Sequence, residues 1–277
     1  MKHEFKITNS DIIKFYNNYE VLIIRSTRKI DKNFLESSTF KVIATCSKGV
    51  DHIELQYAYE KGIKILNANE GNHISAAEHT IALILAIFKK IILSDNLVRE
   101  NKFNFYNYER NELFGKSIGI IGFGKVGSYV GNLCKSFGMK VYANDIDKNV
   151  RQKNKKFVFK SINFILKNCD IVSLHIPMNK NNFNFVSKEK LKLLNKDSVL
   201  INTSRGDIIE EKSLLRMLKE KKIKYAGLDV YSNEPNIDKG FAAVENTVLT
   251  NHIAGKTKES RRRISEHIFS QLMNFYR

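Results

Sequence analysis

Three segments of this 277-residue chain each end an apolar, β-branched run on polar residues that have chemistry to offer. Ile201-Asn202-Thr203-Ser204-Arg205-Gly206 leads to an arginine. Gly227-Leu228-Asp229-Val230-Tyr231-Ser232-Asn233-Glu234-Pro235 carries two acids, and Thr250-Asn251-His252-Ile253-Ala254-Gly255 carries a histidine. Arginine stays charged at any working pH and can hold a carboxylate through two parallel N–H bonds. Histidine gives or takes a proton near neutrality. A neighbouring acid such as Glu234 can fix the tautomer of that imidazole through a charge-assisted hydrogen bond. Taken singly, a surface arginine, a loop acid and a packed histidine are equally ordinary readings. Together they supply a cation for a carboxylate and a proton donor for a carbonyl oxygen. With a hydride carrier nearby, those are the parts needed to interconvert a 2-oxo acid and its 2-hydroxy acid.

A place for such a carrier lies between residues 117 and 145. Ser117-Ile118-Gly119-Ile120-Ile121 reads as a buried strand, and it breaks at Gly122-Phe123-Gly124-Lys125-Val126-Gly127. A helix-like segment follows over 128–137, and a second apolar strand over 140–144 delivers Asp145. Gly122 is expected to make the tight turn, Gly124 to let the backbone approach a pyrophosphate, and Gly127 to let helix and strand pack closely. Lys125 and Val126 lie in the turn ahead of the helix, whose N-terminal N–H groups and dipole suit phosphate. Asp145 stands 18 residues beyond Gly127, where a carboxylate accepts hydrogen bonds from an adenosine ribose and repels a 2′-phosphate. The expected cofactor is therefore NAD rather than NADP. A plain glycine-rich turn would not require this order of strand, turn, helix, strand and acid.

The elements that must position these residues follow from apolar periodicity. Strand-like runs occur near residues 21–24, 41–44, 63–66, 171–174, 199–202, 225–230 and 248–250, with helical segments between them. Such alternation implies an α/β fold with doubly wound parallel sheets, and ligands in such sheets bind beyond the carboxyl ends of the strands. Residues 75–96 read as one long apolar helix. The final segment has Ile264, Ile268 and Leu272 four residues apart and is expected to fold back onto the N-terminal domain. The expected domains are 1–95 plus 256–277, for substrate, and 96–255, for the dinucleotide.

Composition narrows the class. An apolar fraction of 43% supports sizeable cores. The longest apolar stretch, 80–93, is interrupted by Lys89 and Lys90 and is too short to span a bilayer, so no membrane partner is expected. Residues 1–9 are polar and mixed in charge, unlike a signal peptide. Cys46, Cys134 and Cys169 are widely spaced, which suits reduced thiols in a cytoplasm and gives no metal pattern. The net charge of +17 comes from 35 lysines against 11 arginines and resembles drift in an AT-rich genome. Its densest clusters, 151–160 and 219–224, flank expected α/β elements and read as solvated faces, so nucleic acid is not expected. The charge can still attract an anionic substrate.

The stretches LIIRSTRKI, KVIATCSKGVDHIEL, GIKILNANEGNHISAAEHTIALIL, ELFGKSIGIIGFGKVG, VSLHIPM, INTSRGDIIEEKSLLRML, AGLDVYSNEP and NHIAG, in this order and spacing, resemble the D-2-hydroxyacid dehydrogenase family. The similarity runs from about residue 21 to the C-terminus. It implies a Rossmann NAD-binding domain and a flavodoxin-like substrate domain with a cleft between them. It also implies Arg205 as substrate-binding, His252 as general acid/base and Glu234 as its partner. Asp229 and Thr203 are implied near the nicotinamide, and His175 and Pro177 in a turn beside the cofactor. Ser47, Lys48 and Gly49 would offer backbone N–H groups to the substrate carboxylate, with Asn72 lining the same cleft. A homodimer is implied, built on residues 75–96 and on an arm over 99–113 that contains Phe103, Phe105, Tyr106 and Tyr108. The sequence departs from the family at Asn251, where proline is usual, and at Cys46-Ser47-Lys48, where a glycine-rich loop is common.

Arg25-Ser26-Thr27, followed by Arg28 and Lys29, resembles the D-3-phosphoglycerate dehydrogenase branch, in which an arginine at the position of Arg25 helps to bind substrate. A further arginine common in that branch is replaced by Thr45. The expected reaction is oxidation of D-3-phosphoglycerate to 3-phosphohydroxypyruvate, the entry to serine synthesis. No regulatory domain, and hence no feedback by serine through one, is expected. Alternatives are reduction of glyoxylate or hydroxypyruvate, oxidation of 4-phosphoerythronate, and a corepressor-like protein that senses NAD without turnover.

Overall fold

The computed structural model describes residues 7–47, 49–68, 70–103 and 108–277. Lys48 of the expected substrate loop, and Phe105 and Tyr106 of the expected arm, lie outside them. The chain divides into two compact units, Met1–Asn72 with Lys258–Arg277, and His73–Thr257.

The first unit is a parallel sheet with helices on both faces. β1 (Val21–Ile24), β2 (Val42–Thr45) and β3 (Lys64–Asn67) lie side by side in chain order. One face carries α1 (Asn9–Tyr16), α2 (Lys32–Ser37) and α3 (Leu55–Glu60). Their Ile12, Phe34, Leu35 and Ala58 pack with Ile24 and Ile43. The C-terminal helix of the chain covers the other face, where Ile264 and Ile268 meet Val42, Ala44 and Leu66. The fold-back expected from the Ile264/Ile268/Leu272 spacing is therefore present.

In the second unit, α4 (His73–Lys89) and α5 (Ile91–Arg99) precede the strands. Residues 75–96 were expected to be one helix, but Lys90 breaks it with a left-handed φ of 54°. Its ammonium sits 3.4 Å from the centre of the Tyr225 ring, a cation–π contact made at the break. α4 packs on the second sheet through Ala77, Ile81, Ile84, Ile87 and Phe88. This burial is why the division falls between Asn72 and His73 and not at residue 95.

The second sheet contains β4 (Ser117–Ile121), β5 (Lys140–Asn144), β6 (Val158–Phe159), β7 (Ile171–Leu174), β8 (Val199–Asn202), β9 (Tyr225–Leu228) and β10 (Thr247–Leu249). Their order is β10-β9-β8-β7-β4-β5-β6, all parallel. The winding reverses between β4 and β7, which opens a crevice at the carboxyl ends of those strands. α4 and α6 (Lys125–Ser136) cover one face, and α8 (Ile162–Asn168), α9 (Lys188–Leu191) and α10 (Glu211–Lys219) cover the other. The short α7 (Lys148–Lys153) follows β5, and α11 (Lys258–Phe275) is the C-terminal helix of the first unit. Of the two sheets, the larger shows the reversal that defines double winding, and the smaller runs in one direction through its described strands. Among the described residues, no helix is long and apolar enough to cross a membrane.

Candidate active site

At the switch point each glycine meets a different physical demand. Gly122 has a φ of +89°, and a Cβ there would lie 2.6 Å from the His175 carbonyl oxygen. A Cβ on Gly127 would lie 2.1 Å from the Gly122 carbonyl oxygen, so turn and helix touch through bare backbone. Gly124 caps α6 and is exposed, and a Cβ on it would meet nothing within 4 Å. No protein contact asks for glycine there; the open space before the helix N-terminus fits a pyrophosphate. Lys125 and Val126 form the first turn of α6. Asp145 follows β5 and turns back to the glycine loop, accepting from Phe123 N at 2.7 Å and Asp147 N at 2.9 Å. The acid thus braces the turn and stays half-exposed beside it. These residues fit an adenine dinucleotide.

The same edge continues along β7 and β8. His175 N donates to Ile121 O, and its Nε2 lies 2.8 Å from Ser173 Oγ. Burial of the ring pushes its pKa down to about 4, so it is neutral at pH 7. Pro177, next in this turn, is exposed, and its carbonyl accepts from Asn182 Nδ2. Thr203 Oγ1 lies 2.9 Å from Thr80 Oγ1 of α4. Asn202 shapes the Arg205 loop: its Oδ1 accepts from Ser204 N and Oγ, and its Nδ2 donates to Arg205 O. Gly206 presses this loop against the next one, because a Cβ there would lie 1.9 Å from Tyr231 C.

Beyond β9 and β10 sit the expected acid and base. Glu234 Oε2 lies 2.6 Å from His252 Nδ1, and Glu234 Oε1 accepts from Tyr231 N at 3.0 Å. A carboxylate only accepts, so Nδ1 carries the proton and Nε2 faces away from the acid. The His252 side chain is 40% exposed and accessible to a ligand. The Tyr231 hydroxyl lies 3.0 Å from Thr250 O and 3.2 Å from Leu228 O, and its single proton, shared between these two carbonyls, ties the two loops together.

Asp229, expected beside the cofactor, is fully buried. Its carboxylate accepts from Thr250 Oγ1, Ile253 N and Ala254 N, and its carbonyl accepts from His252 N. Burial works against its charge. Hydrogen bonds from His79, Thr250 and the two amides outweigh that, and hold the pKa below the ordinary carboxylate value. Sequence reading missed the parts played by His79, Thr250, Gly206 and Tyr231. A glycine directly after the loop arginine was the one signal that pointed to a close backbone approach.

The first unit holds the remaining expected residues. Ser47 Oγ donates to Gly49 O at 2.7 Å and lies 2.9 Å from the buried Thr45 Oγ1, which also meets His52 Nε2. Ser47 O accepts from Ala68 N. Thr45, which stands where the related branch has arginine, therefore braces this loop from below. Arg25 is exposed just beyond β1, and Asn72 is half-buried at the end of the segment. Burial pushes the nearby Cys46 thiol up, against the opposing charge of Arg25.

Residues 81–254 match the model of the D-isomer specific 2-hydroxyacid dehydrogenase NAD-binding domain. The chain is 31% identical over 274 residues to the D-3-phosphoglycerate dehydrogenase of Methanocaldococcus jannaschii, covering 98% of this chain and 52% of that protein. It is 31% identical over 284 residues to the hydroxypyruvate reductase of Thermotoga maritima, covering 98% and 92%. Among solved structures, D-lactate dehydrogenase from Aquifex aeolicus, complexed with NAD and lactic acid, superposes with a TM-score of 0.85 at 28% identity, covering 98% and 86%. The chain spans about half the length of the curated phosphoglycerate dehydrogenases it matches. By this extended match and the glycine geometry that accompanies it, the chain belongs to the D-isomer specific 2-hydroxyacid dehydrogenases and carries their NAD-binding domain.

Proposed function

We propose that this chain catalyses NAD-dependent oxidation of a D-2-hydroxy acid, with D-3-phosphoglycerate as substrate and 3-phosphohydroxypyruvate as product. The observation that carries the reading is the His252–Glu234 pair at 2.6 Å beyond the last two strands. In this direction His252 Nε2 takes the proton of the substrate hydroxyl, while Glu234 holds Nδ1 and offsets the charge formed on the ring. NAD, when bound, accepts the hydride released from C2. Arg205 binds the substrate carboxylate, which keeps C2 fixed during the transfer. Ser47, Gly49 and Asn72 complete recognition of the carboxylate end. His175, Pro177 and Thr203 shape the nicotinamide side of the site, and the buried Asp229 supports it from beneath.

The phosphate preference rests on Arg25, an exposed cation at the end of a strand, on the net charge of +17, and on similarity to proteins named for that substrate. A second reading, hydroxypyruvate reduction, draws on the 92% coverage of the Thermotoga reductase and on Thr45 in place of an arginine. Steady-state kinetics of wild type and Arg25→Ala on D-3-phosphoglycerate, hydroxypyruvate and glyoxylate separate the two. The phosphoglycerate reading expects that substrate to have the highest kcat/KM and to be the only one that suffers in the variant. Turnover of the unphosphorylated acids alone, indifferent to Arg25, would move the assignment to the reductase.

A homodimer in the cytoplasm completes the proposal. α5 has no fully buried residue and exposes Ile91, Ile92 and Val98, an apolar surface suited to a second copy. Sedimentation at micromolar concentration should give twice the chain mass.

A further inference from the structure

We propose that His79 is a positioning residue for proton transfer: from α4 it locks Thr250 onto Asp229, and Asp229 holds the loop that presents His252. The inference rests on the proton-transfer role proposed above for His252.

Three successive backbone N–H groups, those of His252, Ile253 and Ala254, all end on Asp229, at its carbonyl, Oδ1 and Oδ2, each at 2.8 Å. This keeps His252 at a φ of 56°, a left-handed conformation uncommon for a non-glycine residue and here fixed by three hydrogen bonds. The restraint comes from the buried carboxylate.

That carboxylate depends on its donors, because an ionised group with no exposure must be paired to persist. Thr250 Oγ1 lies 2.6 Å from Asp229 Oδ1 and 3.0 Å from His79 Nε2. A hydroxyl has one proton, and an ionised carboxylate can only accept it. The Thr250 proton therefore points to Asp229, and His79 Nε2–H must donate to Thr250. The same nitrogen lies 3.5 Å from Asp229 Oδ1 and adds a direct attraction. His79 comes from a helix packed across the sheet, so the layer beneath the site fixes the loop above it.

The test compares His79→Leu, which removes the donor, with His79→Gln, which restores an N–H near the Nε2 position. Thr250→Val, nearly isosteric, removes the middle link should the leucine variant fold poorly. Two readouts are needed: kcat with the best 2-hydroxy acid, and hydrogen exchange of the Ile253 and Ala254 amides in the protein alone. The expected result for His79→Leu and Thr250→Val is a fall in kcat of about tenfold to a hundredfold, because a misplacement of about 1 Å costs that much. NADH affinity by fluorescence should stay unchanged, and the two amides should exchange at least about tenfold faster. His79→Gln should recover most of both losses. Equal behaviour of the leucine and glutamine variants, in either readout, would overturn the proposal. Should His252→Ala retain full activity, the reading of His252 fails, and amide exchange still decides whether His79 holds the loop.

Discussion

At the end of β10, His252 is anchored through its backbone to Asp229 and through its ring to Glu234, over a base braced by Thr250 and Tyr231. At the end of β1, in the other unit, Arg25 stands exposed. A group that moves a proton must be aimed before the substrate arrives, since each error in placement is lost from the rate. A group that recognises a charge gains from waiting in solvent, because its hydrogen bonds are then made to the ligand. The two ends therefore respond differently to damage: the first in kcat, the second in KM.

The largest expected effect is at the first end. His252→Ala should lower kcat by about a thousandfold, and Glu234→Gln by about a hundredfold, with NADH affinity preserved in both. Single-turnover measurements with bound NAD check this. An equal loss of cofactor affinity would break the contrast.

The glycine turn offers a sharper version of the same comparison. Gly127→Ala places a Cβ 2.1 Å from backbone and should cost roughly 3 kcal/mol in stability, as overpacking against an unyielding neighbour does. Gly124→Ala meets nothing within 4 Å and should leave the melting temperature unchanged while weakening NADH binding. Melting curves and fluorescence titrations of the two variants separate packing from ligand approach.

Smaller still is the effect of Arg25→Ala. Loss of one charge-assisted contact is worth about 2 kcal/mol, so KM for D-3-phosphoglycerate should rise roughly thirtyfold with kcat nearly unchanged. KM for glyoxylate should not move.

The last prediction concerns acid stability. The folded protein holds His175 at about 4, below its ordinary 6.5, so the unfolded chain binds a proton that the fold refuses. The stability this gives is intact above pH 6.5 and is lost progressively as pH falls to about 4, by up to about 3 kcal/mol. Melting temperature should decline across that window, and less steeply in His175→Gln.

Apolar runs and the four-residue spacing of Ile264, Ile268 and Leu272 were enough to place the strands other than the two-residue β6 and to set the C-terminal helix on its sheet, because each buries an apolar face; the glycine turn was marked by its spacing. The break at Lys90 carries no glycine or proline, and the lysine pair that interrupts the apolar run does not by itself announce a left-handed residue whose ammonium lies over Tyr225. The unit boundary was misplaced for a related reason: an apolar helix does not say which sheet it covers. Arg205, Glu234 and His252 stood out because each interrupts a strand pattern. Asp229 stood out as well, but a strand-end acid carries no sign of whether it faces ligand or core. His79 and Thr250 lie 171 residues apart, and their contact exists only once α4 lies across the sheet.

The most direct test is NADH formation by the purified protein with NAD and D-3-phosphoglycerate at alkaline pH, beside His252→Ala. Turnover by the wild type, with at least about a thousandfold loss in a variant that still binds NADH, is the expected result. Equal activity in the variant, or NADH binding without turnover of any D-2-hydroxy acid, would contradict the account.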